Sequence, residues 1–328
     1  MSQMRLNPLN GRWVTIVPNR AQRPSDFAPR DVVEDRNDLD RPCPFCPGNE
    51  EETPPALETA GADGTWSMRV VPNLYPAFAG DDPFAVHNIG PVHVKAEASG
   101  IHEVFIFDRD HTGGLDDLDD GQAVEMMQVL KRRLREHADE PFVRYTQIIV
   151  NHGREAGASV AHPHGQILGL PFVPSEVLDE ERAFARFAGG SLLDTTMAAE
   201  LASGERVVVS NDDVVVMCPW ASGVPYEMLI VPTEQQAHLP DASDASLAAV
   251  GIAIRDSLVH LNRVLGDVAF NLGVHTAPHQ HTGDYHWHVH VWPQITTQAG
   301  FERGTGVMIN IISPEEAAAA LRAVGATA

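Results

Sequence analysis

Two histidines one residue apart, His162 and His164, are the sharpest chemical feature of this sequence. On an extended chain such residues point to the same side, and Pro163 between them stiffens that geometry. Gly165 leaves room for a bulky phosphoryl group beside the His164 imidazole. A neutral imidazole is a competent nucleophile toward a phosphoanhydride when its other nitrogen is held by an acceptor. The run from Asn151 to Val160 that leads into the pair is rich in small residues, so its backbone can approach an anionic ligand closely. A second element is Cys43-Pro44-Phe45-Cys46, half of a tetrahedral zinc site by spacing. The same spacing fits a redox dithiol, although no thioredoxin-like context surrounds it. The natural partners for zinc are His111 and His162. A third cluster holds His275, His279, His281, His286, His288 and His290. Its alternating part, His286 to His290, reads either as a histidine triad that could itself hold the nucleophile or as a second metal site. The metal reading takes His275, His288 and His290 with a carboxylate, for which Glu180 is best placed. His279 and His281 read as a solvated loop.

Bulk composition narrows what these residues can serve. The 328 residues suit two domains or one duplicated unit, and 43% apolar content fills a sizeable core. With 23 Lys+Arg against 45 Asp+Glu, the net charge of −22 argues against nucleic acid or an anionic membrane as partner. A phosphorylated small molecule stays open, because a few arginines and backbone amides can cradle one. Three cysteines (Cys43, Cys46 and Cys218) form no disulfide framework and fit a reducing cytosol. The first ten residues lack the apolar core of a signal peptide, and no window reaches the length of a membrane span. The expected location is cytoplasmic.

The elements that must position the clusters repeat along the chain. Trp13–Val17 is a short predicted strand, and Ser25 to Asp40 a polar surface stretch. Ser67–Pro72 and Glu103–Phe107 read as strands, Asp120–His137 as an amphipathic helix, and Tyr145–Val150 and His164–Leu170 as further strands. The same order returns in Arg206–Ser210, Asp213–Met217, Glu227–Pro232, a helix over Ser246–Leu265, Ala269–Val274 and His286–Pro293. Matching Glu103 to Glu227 and Asn151 to Asn271 gives offsets of 124 and 120, which predicts a four-residue insertion between helix and strand.

With these motifs in order along nearly the whole chain, the sequence resembles the galactose-1-phosphate uridylyltransferase family, a branch of the histidine-triad superfamily with two fused copies of the fold. The segment from Asn151 to Gln166, ending in His-Pro-His-Gly-Gln, is the most specific match. Pro18 to Pro24, Cys43 to Cys46, Val70 to Ala77, Asp110-His111, Glu180 and His288-Val289-His290 support it. The resemblance implies an α+β fold of two histidine-triad-like units, 1–190 and 191–328, with antiparallel sheets and flanking helices. It implies that His164 becomes a nucleotidyl-histidine and that Gln166 hydrogen-bonds the transferred phosphoryl group. Cys43, Cys46, His111 and His162 would bind zinc; Glu180, His275, His288 and His290 would form a second site for iron or zinc. Asn151, Gly157 and Ser159 would line the phosphate and ribose path, and Asn73 and Tyr75 would fall at the base. Arg20 and Arg23 match arginines that reach the phosphate from a neighbouring subunit, which implies a homodimer.

One region departs from the galactose-active members, which carry a Lys-Phe pair shortly before a Gly-Tyr-Glu segment. Here Thr296-Thr297 precedes Gly300-Phe301-Glu302-Arg303-Gly304-Thr305-Gly306, a form more similar to ADP-glucose phosphorylases. Phe301 and Glu302 are candidates for sugar contact. The expected reaction is ping-pong transfer of UMP between a nucleotide sugar and a hexose 1-phosphate. The alternatives are a nucleotide-sugar phosphorylase, a histidine-triad nucleotide-binding protein without turnover, and a nucleotide hydrolase using His286 to His290.

Overall fold

The computed structural model describes residues 2–18, 42–62 and 64–325. Strands β1 (Gln3–Leu6) and β2 (Trp13–Ile16) open the chain, followed by β3 (Glu58–Ala62) and β4 (Thr65–Pro72). An exposed hairpin of β5 (His87–Ile89) and β6 (His93–Lys95) precedes β7 (Ile101–Ile106), helix α1 (Asp120–Asp139), β8 (Tyr145–His152) and β9 (His164–Leu170). Helices α2 (Ser175–Arg186) and α3 (Leu192–Ser203) lead to β10 (Val207–Ser210), β11 (Val214–Met217), β12 (Met228–Pro232), α4 (Asp244–Leu265), β13 (Phe270–His275) and β14 (His288–Pro293). Helix α5 (Gly300–Thr305), β15 (Met308–Asn310) and α6 (Pro314–Gly325) follow.

Ten strands form one antiparallel sheet in the order β10-β11-β12-β14-β13-β8-β9-β7-β4-β3. Each half runs through three strands, a helix and two strands, and the halves meet where β8 pairs with β13. β15 adds to β2 in parallel and completes a separate three-stranded sheet. The expected α+β class with antiparallel sheets and flanking helices is observed.

The two long helices start alike. Asp119 accepts from Gln122 N–H ahead of α1, and Ser243 accepts from Ser246 N–H ahead of α4. Each such cap contributes about 1 kcal/mol. Apolar residues at helical spacing in α1 (Ala123, Met127, Leu130, Leu134) and in α4 (Leu247, Val250, Ile254, Leu258, Leu261) are buried against one face of the sheet. That face presents Phe105, Ile148, Val150, Ile167, Val289 and Val291.

The repeat register differs from the sequence expectation. One offset of 124 carries Asp120 at the start of α1 onto Asp244 at the start of α4, and His164 onto His288. Val150 lies opposite Gly165, as Val274 lies opposite Val289, so the offset holds through β8 and β13 without an insertion. Asn151 and Asn271 are therefore not equivalents; they face each other across the seam between the halves. Glu103 and Glu227 are not equivalents either, because the pairing of β12 to β14 is displaced by one residue relative to β7 and β9.

Candidate active site

Alternation along β9 decides which side chains reach the open face. Gly165 and Ile167 face the helices, so His164 and Gln166 project from the other side. A Cβ on Gly165 would overlap the Phe105 ring and stand 2.7 Å from Ile149 O, so only glycine lets β9 lie this close. The His164 ring is half-buried, with the Phe45 ring centroid 5.2 Å away. Its Nδ1–H donates to the carbonyl of His162 at 2.8 Å. Nε2 is then the nitrogen with the free lone pair. Burial holds the imidazole below its ordinary pKa, against the opposing pull of that hydrogen bond, so the neutral ring dominates at neutral pH.

Cys43, Cys46, His111 and His162 come together as expected, each offering a ligand atom within 4.8 Å of the others. Cys46 Sγ lies 3.4 Å from His111 Nδ1 and 3.5 Å from His162 Nδ1. A tetrahedral zinc with ordinary Zn–S and Zn–N bonds places such atoms about 3.5 Å apart. His162 Nε2–H donates to Asp108 O at 2.9 Å, which fixes the ring and leaves Nδ1 as the lone-pair nitrogen. Burial and the adjacent Cys43 push the Cys46 thiol up to about 11, a cost that a bound cation reverses. The donor set fits a closed four-ligand cation.

The remaining expected residues divide. Gln166 Oε1 lies 2.7 Å from His102 Nε2. Asn151 Oδ1 accepts from Asn271 Nδ2 at 2.7 Å. Gly157 and Ser159 are exposed on the β8–β9 loop, and Gly157 takes a left-handed conformation, φ +89°, with open space where a side chain would stand. Asn73 accepts from Tyr75 N–H at 2.9 Å in the turn after β4, and Tyr75 is 85% exposed. Glu302 instead caps α5, accepting from Ala299 N–H at 2.9 Å, and Phe301 is half-exposed. Among the described residues no hydrogen bond, ion pair or ring contact joins Phe301 or Glu302 to the His164 cluster. Arg20 and Arg23 lie outside the described residues.

The second half carries the same latch: His288 Nδ1–H donates to His286 O at 2.8 Å. Here the corresponding face is covered by Phe184 of α2, Leu193 and Met197 of α3, and Leu9, so His288 is fully buried. Glu180, on α2, brings Oε1 within 2.8 Å of His275 Nδ1, 3.7 Å of His288 Nε2 and 4.0 Å of His290 Nε2. Its Oε2 accepts from Tyr285 at 2.5 Å. Burial would raise the Glu180 carboxyl, but His275 and His288 hold it well below the usual range. His288 Nε2 and both His290 nitrogens are buried without a hydrogen-bond partner. Such orphaned ring nitrogens beside a carboxylate fit a cation. His286 stands apart from this group and meets Asp194 at 3.2 Å. His279 and His281 do not form a solvated loop. His279 meets Thr146 Oγ1 at 2.9 Å, with burial lowering its pKa to about 4, and His281 meets Glu181 at 2.7 Å.

Sequence reasoning missed His102 and Asn271 as site residues. The predicted strand began at Glu103, two residues after the observed start at Ile101, and Asn271 was read only as a repeat partner. Their sequence signal was a polar residue at the end of one strand and inside another; only the pairing of β7 with β9 and of β13 with β8 brings them to the site.

A family model described as "Galactose-1-phosphate uridyl transferase, N-terminal domain" matches residues 1–174, and one described as a domain of unknown function (DUF4921) matches residues 122–323. An ADP-glucose phosphorylase of Arabidopsis thaliana is 30% identical over 99% of this chain and 93% of its own length. A galactose-1-phosphate uridylyltransferase of Haemophilus influenzae is 28% identical over 98% of this chain and 93% of its own. A crystal structure of the Arabidopsis ADP-glucose phosphorylase with bound ADP-glucose superposes with a TM-score of 0.81, at 27% identity and 98% coverage of both chains.

Proposed function

We propose, for a chain that belongs to the galactose-1-phosphate uridylyltransferase family, that it moves a UMP group between hexose 1-phosphates through a nucleotidyl-histidine at His164. The observation that carries this is the His164 latch: Nδ1–H is held by the His162 carbonyl, and Nε2 faces the open side of the sheet. In the first step Nε2 attacks the α-phosphorus of the nucleotide sugar. The N–P bond forms, the bond to the bridging oxygen breaks, and the sugar 1-phosphate leaves with the electron pair. In the second step a different sugar 1-phosphate attacks the same phosphorus and His164 leaves as the neutral ring. Gln166, the Ser159 hydroxyl and backbone amides of the Asn151–Ser159 loop donate to the phosphoryl oxygens. Asn73 and Tyr75 would hold the base, and Phe301 and Glu302 would meet the sugar.

Cys43, Cys46, His111 and His162 would hold zinc, which when bound serves structure. His162 ties the two jobs together, because its ring belongs to the ligand set and its carbonyl orients the nucleophile. Glu180, His275, His288 and His290 would hold a second ion, iron or zinc. The same reading carries units of 1–190 and 191–328, a homodimer in which Arg20 and Arg23 reach the neighbouring subunit's phosphate, a cytoplasmic location, and no nucleic-acid or membrane partner. Among the described residues no helix is long and apolar enough to cross a membrane.

A second reading, nucleotide-sugar phosphorylase with inorganic phosphate as acceptor, is favoured by the 30% identity to the Arabidopsis enzyme and by the Gly300–Gly306 segment. Incubation with UDP-glucose or ADP-glucose, a quench without acid and intact mass measurement separates the two. A uridylyl adduct absent in His164→Gly supports the first reading, and an adenylyl adduct supports the second. Absence of both adducts, or persistence of an adduct in His164→Gly, refutes the covalent mechanism at His164.

A further inference from the structure

Two amide side chains at the site, Gln166 and Asn151, are each gripped by the carbonyl oxygen, and each grip can be traced to a backbone group whose hydrogen-bonding role is fixed. At Gln166 the chain starts at Ala77, whose N–H lies 3.0 Å from His102 Nδ1. A backbone N–H only donates, so Nδ1 is the acceptor and the proton of the neutral ring is on Nε2. Nε2–H has Gln166 Oε1 at 2.7 Å. Asn73 Nδ2, 3.1 Å from the same Nε2, cannot accept, since the Asn73 carbonyl is committed to Tyr75 N–H. The Gln166 carbonyl is therefore tied to His102, and its NH2 group is turned away from it.

At Asn151 the chain starts at the carbonyl of Ala156, which only accepts. Asn271 Nδ2 donates to it at 2.8 Å, which fixes the Asn271 amide. Asn271 Oδ1 then accepts from Gln294 Nε2 at 2.7 Å, and the second Nδ2 proton goes to Asn151 Oδ1 at 2.7 Å. The Asn151 NH2 group is again the free end. A rotation of either amide by half a turn would present a carbonyl oxygen to a phosphoryl oxygen, converting a donor into a repulsive partner.

We infer that His102 and Asn271 are positioning residues that lock the Gln166 and Asn151 amides with their NH2 groups toward the transferred phosphoryl group. This rests on the transfer reading above. His102 also links two parts of the site, since its backbone carbonyl accepts from Asn73 N–H at 2.8 Å at the start of the turn that carries Tyr75.

The test is a double-mutant cycle with UDP-glucose and ADP-glucose, read as the single-turnover rate of adduct formation and as kcat and KM. Losing one oxyanion donor costs about 10²–10³-fold, so His102→Phe, which only misdirects the donor, should slow adduct formation roughly 10–100-fold with KM changed by less than about threefold. His102→Gln, which can still donate from its amide, should recover the rate to within about fivefold of the native protein. In a Gln166→Ala background His102→Phe should cost less than about threefold, because the amide it orients is gone. Asn271→Asp, which cannot donate to Asn151, should behave in the same way against Asn151→Ala. Equal losses in both backgrounds would show that His102 only supports the fold and would overturn the inference. A readout independent of turnover is histidine ¹⁵N NMR, with the His102 signals assigned by their loss in His102→Phe. Nε2–H with a bare Nδ1 is expected, and Nδ1–H would overturn the lock even in a protein that forms the adduct. If the native protein forms no adduct but shows the Nε2–H ring, the transfer reading fails and the lock survives.

Discussion

A single methyl group added at Gly165 tests whether the close approach of three strands sets the position of His164, the proposed nucleophile. Gly165 is paired directly with Phe105 on β7 and with Val150 on β8. A Cβ there would overlap the edge of the Phe105 ring and stand 2.7 Å from Ile149 O, where ordinary contact begins near 3.4 Å. The carbonyl belongs to the sheet and cannot swing aside, so β9 must move off β8 by about 0.7 Å or Phe105 must leave its packed rotamer. Overpacking of this kind costs ~1–3 kcal/mol. For a chain of 328 residues that lowers Tm by about 1.5–4.5 °C. The displacement passes to His164 through one peptide unit, and a shift approaching 1 Å at a reacting group costs on the order of 10²-fold in rate. Gly165→Ala should therefore fold, melt a few degrees lower, and form the nucleotidyl adduct roughly 10–100-fold more slowly. Thermal denaturation with single-turnover mass analysis on the same sample checks both numbers. A variant with native Tm and a rate within a factor of about two would refute the argument that this strand spacing positions His164.

Other outcomes follow from the same geometry. Cys46→Ser removes a proposed zinc ligand whose sulfur lies 3.4–3.5 Å from two imidazoles, so on the zinc reading elemental analysis should show the loss of one zinc equivalent and calorimetry a lower Tm, with adduct formation slowed through His162. Glu180→Ala leaves three buried imidazoles without their carboxylate; it should reduce Tm and the second metal equivalent while adduct formation stays within about fivefold. Burial raises Glu227 to about 7, despite hydrogen bonds from the Gly223 and Val224 N–H groups. Its folded pKa lies above the ordinary 4.5, so its contribution is complete below pH 4.5 and is lost as pH rises toward 7. Glu227→Gln should flatten the fall in Tm between those values and melt higher than the native protein at pH 8; an unchanged pH profile would contradict this.

The histidine motifs were readable because their geometry is local. Residues two apart on a strand share a face whatever the strand pairs with, so His288 and His290 could be placed before the sheet was known. The long helices were readable from periodicity, although α4 begins at Asp244, two residues before the predicted start, because its cap at Ser243 is polar. Register was harder. Asn151 and Asn271 looked like repeats because both are asparagines after apolar runs, yet a pairing partner across an antiparallel seam gives the same appearance in sequence. His102 was invisible for a related reason: nothing next to it in the chain says that β7 will lie beside β9 and bring it to Gln166. The loop around His279 and His281 looked solvated because its residues are polar, but Thr146 and Glu181, distant in sequence, bury and pair it.

The seam between β8 and β13 has a consequence for how the chain is made. β8 ends at His152 and β13 is complete only at His275, so about 120 residues must be synthesised after the first strand of the pair before its partner exists. At ~5–20 residues per second that is roughly 6–25 s, far longer than the microseconds a hairpin needs to close. During this time β8 holds an unpaired row of backbone donors and acceptors beside the buried Ile148 and Val150, the kind of edge that recruits strands from other chains. A nascent first half is thus most exposed to aggregation just before the second half arrives, and slow codons or a translational pause between residues 152 and 275 would lengthen that exposure.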